Sequence, residues 1–218
     1  SSSAVPPPTQ GTSASFNIVA GPATTLLFTG QPPASVTAGQ SLSPAVQVTA
    51  LDALSNAATG FAGTVSIAIT PGTGKAGAHL LGTLAQTAAA GVATFNNLSV
   101  DSAGAGYTLT ASSGALVRDT STAFIVNPGP TTQLAFTVQP VNTAAGAAIT
   151  PAVQVSAQDA FGNLVPTFTQ TVTITIGFNP PGNGTLTGTT NVVAVGGVAT
   201  FTNLRIDKVG TGYTLIAA

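Results

Sequence analysis

The 218-residue chain is nearly free of charge: four Lys or Arg and five Asp or Glu leave a net charge of −1, and there is no Cys. Charged residues are 4% of it, against about 25% in an ordinary domain, so nothing favours nucleic acid, an anionic membrane surface or a charged substrate. A disulfide frame and a thiolate metal site are excluded, and no apolar run approaches the ~18 residues of a membrane span.

The first ten residues, SSSAVPPPTQ, have neither the basic start nor the apolar middle of a signal peptide, so any such peptide is expected to be already removed. SASFNIVAGP (residues 13–22) follows and predicts a first strand. PATTLLFTGQP (22–32) and PAVQVTALDALSN (44–56) come next, the latter with Val46, Val48 and Ala50 on one face and Gln47 and Thr49 on the other. TVSIAI (64–69) alternates in the same way. A Gly-rich stretch with His79 leads to GVATFNNLSVD (91–101), GYTLTAS (106–112) and TAFIVNPGP (122–130). TGQPP, TAGQS, DALSN, PGTG and DSAGAG supply the turns. Period-two burial is the mark of antiparallel sheets wet on one face. Seven or so such strands in about 107 residues, with no helical period, predict a β-sandwich.

The set then recurs. PTTQLAFTVQP (130–140) repeats the second segment at an offset of 108, PAVQVSAQDAFGN (151–163) and TVTITI (171–176) repeat at 107, and GVATFTNLRID (197–207) at 106. Drift of this size belongs in loops. The chain therefore reads as an extension with one strand (1–21), a sandwich (22–127) and a second sandwich (128–218), coupled stiffly by Asn127, Pro128, Gly129 and Pro130. The two tyrosines, Tyr107 and Tyr213, each follow an Asp at the start of the penultimate strand. That placement matches a tyrosine corner of an immunoglobulin-like sandwich; an ordinary half-buried strand Tyr is the other reading.

The segments ATTLLFTGQPPASVTAGQSLSPAVQVTALDA, FAGTVSIAI and GVATFNNLSVDSAGAGYTLTASSG, with their second copies, resemble bacterial Ig-like tandem repeats of large surface and secreted proteins. The resemblance covers nearly all of the chain after residue 10. It implies an extracellular or cell-surface β-sandwich array that acts as spacer, adhesin stalk or fibre, and it brings no catalytic residues.

One strand is out of balance. TAFIVNPGP is the expected last strand of the first sandwich, with Phe124 and Val126 inward, and its counterpart in the second would fall past Ala218. SASFNIVAGP fits the same pattern at offset 108, with Phe16 on Phe124, Ile18 on Val126 and Pro22 on Pro130. The first sandwich already has such a strand. Hence Ser15, Phe16, Asn17, Ile18, Val19 and Ala20 are expected to act as a donor strand for another copy. The expected acceptor edge, antiparallel to it, is Tyr213, Thr214, Leu215, Ile216 and Ala217. Tyr107 to Phe124 is 17 steps, while Tyr213 to the Phe16 of a following copy is 21, with the excess assigned to VPPPTQ. Separate subunits and one period of a covalent array both satisfy the pattern; a piece of a longer protein cut without regard to strands is the third possibility.

Candidate chemistry is sparse. His79 is the one histidine, in a loop where aligning GTL with GTL pairs it with Pro181, and no acidic residue is near it in sequence. It reads as solvated surface, and no nucleophile elbow accompanies it. Asp52 and Asp159, and Asp101 and Asp207, fall at repeated places. DALSN and DAFGN look like loops whose Asp and Asn cap their own backbone, and calcium, which takes six to eight oxygens, is poorly served. Lys75 and Lys208 are unmatched between copies, which argues against isopeptide cross-links. Asn97 and Asn183 open glycosylation triplets, and the Ser/Thr-rich surface offers O-linked sites. No enzyme activity, cofactor or metal is expected. The expected partner is the chain itself, head to tail, with glycan as an addition. A filament subunit is the leading expectation and a stalk segment of a surface adhesin the alternative.

Overall fold

The computed structural model describes residues 10–218; most of the Pro-rich run expected to bridge copies lies outside them. The described residues form twenty short strands and no helix. Alternation drives the folding of each strand. Thr64–Ile69 buries Val65 and Ile67 while Thr64, Ser66 and Ala68 face water, and Phe124–Asn127 buries Phe124 and Val126.

In the first unit Thr25–Gly30, Val46–Leu51 and Val92–Phe95 make one antiparallel sheet. The facing layer runs from Ala85–Thr87 through Thr64–Ile69 to Leu109–Ser112, which also pairs with Asp119–Thr120. The same chain passes directly into the last strand, Phe124–Asn127, which lies between Gly104–Tyr107 (antiparallel) and Ser35–Thr37 (parallel). Leu26, Phe28, Val46, Val48 and Phe95 of one layer pack against Val65, Ile67, Leu109 and Phe124 of the other, all buried. This is an immunoglobulin-like sandwich. Tyr107 closes it as a tyrosine corner: its hydroxyl donates to the Ser102 carbonyl at 2.7 Å, and its ring stacks on Phe124 with centroids 5.7 Å apart.

The second unit repeats most of this. Gln133–Val138, Val153–Gln158 and Val198–Phe201 form its first sheet, and Asn191–Val193, Thr171–Ile176 and Leu215–Ala217 its second. Among the described residues, however, the counterparts of Ser35–Thr37 and Gly104–Tyr107 (142–144 and 210–213) are not strands. The reason is common to both. In the first unit each has Phe124–Asn127 as its ladder partner, and no described strand lies between them in the second. The buried apolar cluster shrinks accordingly, from nineteen residues to nine. Leu134 and Phe136 are only partly buried where Leu26 and Phe28 are fully so.

The units meet through one loop. Asp159 accepts from Gly129 N at 2.8 Å and from Phe161 N and Asn163 N at 2.9 Å each, so the connecting chain and the loop share one carboxylate. Asn163 then reaches into the first unit: its amide donates to the Asp101 carbonyl at 2.8 Å and its oxygen accepts from Ala103 N at 2.9 Å. The Phe161 ring lies directly on Gly39, where φ is +77° and a side chain of any size would collide with the ring. Gly is needed there on both counts.

Candidate functional site

The open side of the second unit is a groove. One part, of about 560 Å³, runs between Val141, Asn142, Thr143 and Ala144 on one wall and Gly210, Thr211, Gly212 and Tyr213 on the other, with Ile149 and Leu215 at its floor. These walls are the counterparts of the two strands that hold Phe124–Asn127 in the first unit. A second cavity, of about 1030 Å³, adjoins Gln133, Leu134, Phe168, Thr171 and Ala218. Their first-unit counterparts surround the 113–118 turn: Leu26 N donates to the Val117 carbonyl at 3.0 Å, and the Ser113 hydroxyl to the Thr64 carbonyl at 2.6 Å. The two cavities together trace the path that residues 113–127 follow in the first unit. Tyr213 keeps its corner bond, to the Lys208 carbonyl at 3.2 Å, but is partly exposed, whereas Tyr107 is fully buried under Phe124.

Residues 15–20 form no strand and do not pack on the first unit. Phe16 is 78% exposed, Ile18 89% and Val19 83%. The match to the first unit's last strand extends further than Phe16. Thr12-Ser13 aligns with Thr120-Ser121, and Ser121 joins the penultimate strand by accepting from Leu109 N through its hydroxyl and donating its own N–H to the Leu109 carbonyl.

The first unit's register refines the acceptor edge. Phe124 pairs with Tyr107 and Val126 with Gly104, which carries Phe16 to Tyr213 and Ile18 to Gly210. Leu215, Ile216 and Ala217 correspond to Leu109–Ser112, whose free edge takes Asp119–Thr120. By that correspondence the residues aligned with their first-unit partners are Gly11 and Thr12 rather than Phe16 and Ile18, with Thr214 at the bend between. Two features that sequence spacing does not display set this register: the break at Thr108 between the strands Gly104–Tyr107 and Leu109–Ser112, and the irregularity between Phe124 and Val126 opposite the first of them.

The other candidate residues have structural tasks. His79 is 74% exposed and its Nδ1 lies 2.9 Å from an Asp101 oxygen, a partner 22 residues away that sequence distance concealed. Its counterpart is Thr185, not Pro181. Leu80–Leu81 and Leu186–Thr187 occupy the same place, and the backbone N of His79 and of Thr185 each donates to the aspartate of its own unit. The GTL match had concealed a four-residue slip. Burial would raise the Asp101 carboxyl, but the His79 backbone N–H, the His79 ring and the Ser102 hydroxyl outweigh it and the net direction is down. Asn97 binds Thr83 N and the Thr83 hydroxyl, as Asn203 binds Thr189, so its amide is engaged in holding a turn. The repeated Asn, without its repeated Ser, was the legible sign. Lys75 and Lys208 make no ion pair among the described residues, where His79–Asp101 is the one such contact.

Asp52 and Asp159 cap their own loops as their sequences suggest. Asp52 is held at about 2, first by Asn56 N, then by Gly21 N and the Asn56 amide. Asp159 is also lowered: burial opposes this, but the Asn163 amide and the N–H groups of Gly129, Asn163 and Phe161 prevail. A carboxyl lowered in the folded state stabilises it above its unfolded value, near 4, and that contribution is lost as pH falls through the folded value. Thermal stability is thus expected to be flat from about pH 9 to 5 and to fall from about pH 4 toward 2. Asp52→Asn with Asp159→Asn should flatten this acid limb while lowering stability at neutral pH; melting curves against pH check both.

No family model and no curated protein matches the chain. Among solved structures it is similar to the Escherichia coli adhesin FdeC, at 19% identity and a TM-score of 0.38, over 92% of this chain and 62% of that one. It is also similar to Bacteroides uniformis β-glucuronidase 3 (14%, TM-score 0.29) and a Parabacteroides merdae β-glucuronidase (11%, TM-score 0.26), over 89% of this chain in each case. The chain spans under two thirds of the adhesin's length and about a quarter of either glucuronidase's.

Proposed function

We propose that the chain is a structural subunit of an extracellular filament, in which residues 12–20 of one copy complete the second sandwich of the preceding copy. The observation that carries this is the pairing of an exposed strand sequence with a groove of matching pattern. The first unit demonstrates what such a sequence does in such a groove. Strand addition supplies a backbone ladder for affinity and alternate side chains for specificity. Burial of Phe16 and Ile18 contributes about 3–6 kcal/mol, and each net ladder hydrogen bond about 0.5–1.5. A groove left open would expose an unpaired sheet edge, an aggregation hazard. Because donor and acceptor lie at opposite ends, the contact is heterologous and propagates into a fibre unless it closes. The Ser/Thr-rich surface is nearly free of charge and offers little repulsion between copies, which suits a structural, self-associating role. The stiff joint would equally suit a stalk.

A labelled peptide of residues 11–22 tests the reading directly. It should bind the chain deleted of residues 1–20 saturably, one per chain, and the same peptide with Phe16→Asp should not. Failure of the parent peptide to bind would overturn strand complementation. Denaturing electrophoresis of native particles separates the two modes of linkage. A band near 21 kDa means separate subunits, and a very large species a covalent array.

A further inference from the structure

The loop that locks the second unit onto the first is duplicated at the outer end of the first unit, where the described residues give it nothing to lock onto. Asp52 accepts from Gly21 N at 2.9 Å and from Leu54 N and Asn56 N at 2.9 Å each. That is the arrangement Asp159 makes with Gly129, Phe161 and Asn163. The chain entering the first unit is therefore already held in the geometry of the internal joint, although no unit precedes it in the structure. The two contact-making positions hold Phe161 and Asn163 in the second unit and Leu54 and Asn56 in the first. Phe161 lies on Gly39 and Asn163 is buried between the units, while Leu54 is 83% exposed and Asn56 is exposed.

The receiving surface is duplicated too, at the far end of the second unit. Gly146 is the counterpart of Gly39: φ is +78° against +77°, and its N–H donates to Ile206 O at 2.8 Å as that of Gly39 does to Val100 O. Space above Gly146 is open where Gly39 carries the Phe161 ring. The Asp207 carbonyl and Val209 N correspond to the groups on Asp101 and Ala103 that Asn163 binds, and Val209 is 83% exposed.

We infer that the junction between successive copies is a second instance of the internal joint, with Leu54 seated on Gly146 and Asn56 bonded to Asp207 O and Val209 N of the preceding copy. This rests on the strand-complementation reading and deepens it. A donor strand placed in the preceding groove by the first unit's register runs through Ala20 and Gly21 into a loop whose geometry is already set. Every junction along the fibre then has the same geometric step, one per sandwich, while the chemical repeat remains the two-sandwich chain.

The chain has no Cys, so engineered thiols are unique. Leu54→Cys with Val209→Cys, both at exposed non-core positions, is treated with a short bismaleimide in assembled particles. Phe161→Cys with Ala103→Cys, across the internal joint, is the reference. The 54–209 pair should link neighbouring copies within about tenfold of the reference rate, since the same geometry sets both effective concentrations. Adding Phe16→Asp should abolish the link between copies and leave the reference unchanged. Particles that assemble but link positions 54 and 209 more than roughly 100-fold slower would overturn the shared joint and leave strand complementation standing. Failure of the unsubstituted chain to assemble at any concentration would overturn both.

Discussion

Phe16→Asp should abolish fibre growth and leave the first unit's melting unchanged. The side chain that Phe16 mirrors, Phe124, is 1% exposed and stacked on Tyr107, so Phe16 in the next copy would occupy a dry site over Tyr213. Replacing it removes about 2–3 kcal/mol of apolar burial and forces a carboxylate into a place with no partner, which costs several kcal/mol more or prevents insertion. A combined loss of about 5 kcal/mol weakens association by roughly four powers of ten. The first unit does not register the change, because its own last strand is intact and residues 15–20 do not touch its core. Sedimentation and calorimetry on the same sample separate the two effects. Fibres of normal length from the variant would mean that this strand is not the connector. A fall in the first unit's melting temperature would mean that the segment belongs to that unit after all.

Much of this was legible before any coordinates. The duplicated segments fixed the unit length, and strict alternation in TVSIAI and TVTITI fixed the fold class, because a one-residue slip would turn every buried side chain to solvent. The likeness of residues 13–22 to the first unit's last strand is visible because the repeat supplies its own reference, Phe124 for Phe16, although residues 15–20 form no strand in the structure. What sequence could not supply were relations between distant residues. The Asn163 contacts to Asp101 and Ala103 span 62 and 60 positions, and nothing local to DAFGN distinguishes a loop that caps itself from one that also clamps a neighbour. His79 and Asp101 meet because two short strands, Leu80–Leu81 and Ser99–Val100, pair beside them. Such short pairings have too few residues to show a period. The register beside the last strand is hidden for a related reason: the break between Tyr107 and Leu109 changes which residues face it in the first unit.

A chain that carries its own donor strand after the second unit should be a stable monomer. The first unit supplies the recipe, since residues 113–118 turn from Leu109–Ser112 back to Asp119–Thr120. Deleting residues 1–20 and adding the 113–118 turn followed by residues 11–20 after Ala218 places Phe16 over Tyr213 and Ile18 beside Gly210 of the same molecule. Leu116 of the added turn would also cover the cavity at Leu134 and Phe168, as it packs against the first unit's core now. The second unit would then gain within one chain the burial and the ladder that the proposal assigns to another copy, without the cost of association. With about 3–6 kcal/mol restored and roughly 4–8 °C per kcal/mol for a unit of this size, its melting temperature should rise by more than about 10 °C and approach that of the first unit. The chain should remain monomeric at concentrations where the parent polymerises, because the groove is filled and no free donor remains. Light scattering and differential scanning calorimetry decide it. Continued polymerisation, or a second unit no more stable than before, would show that the groove is not the site this strand fills.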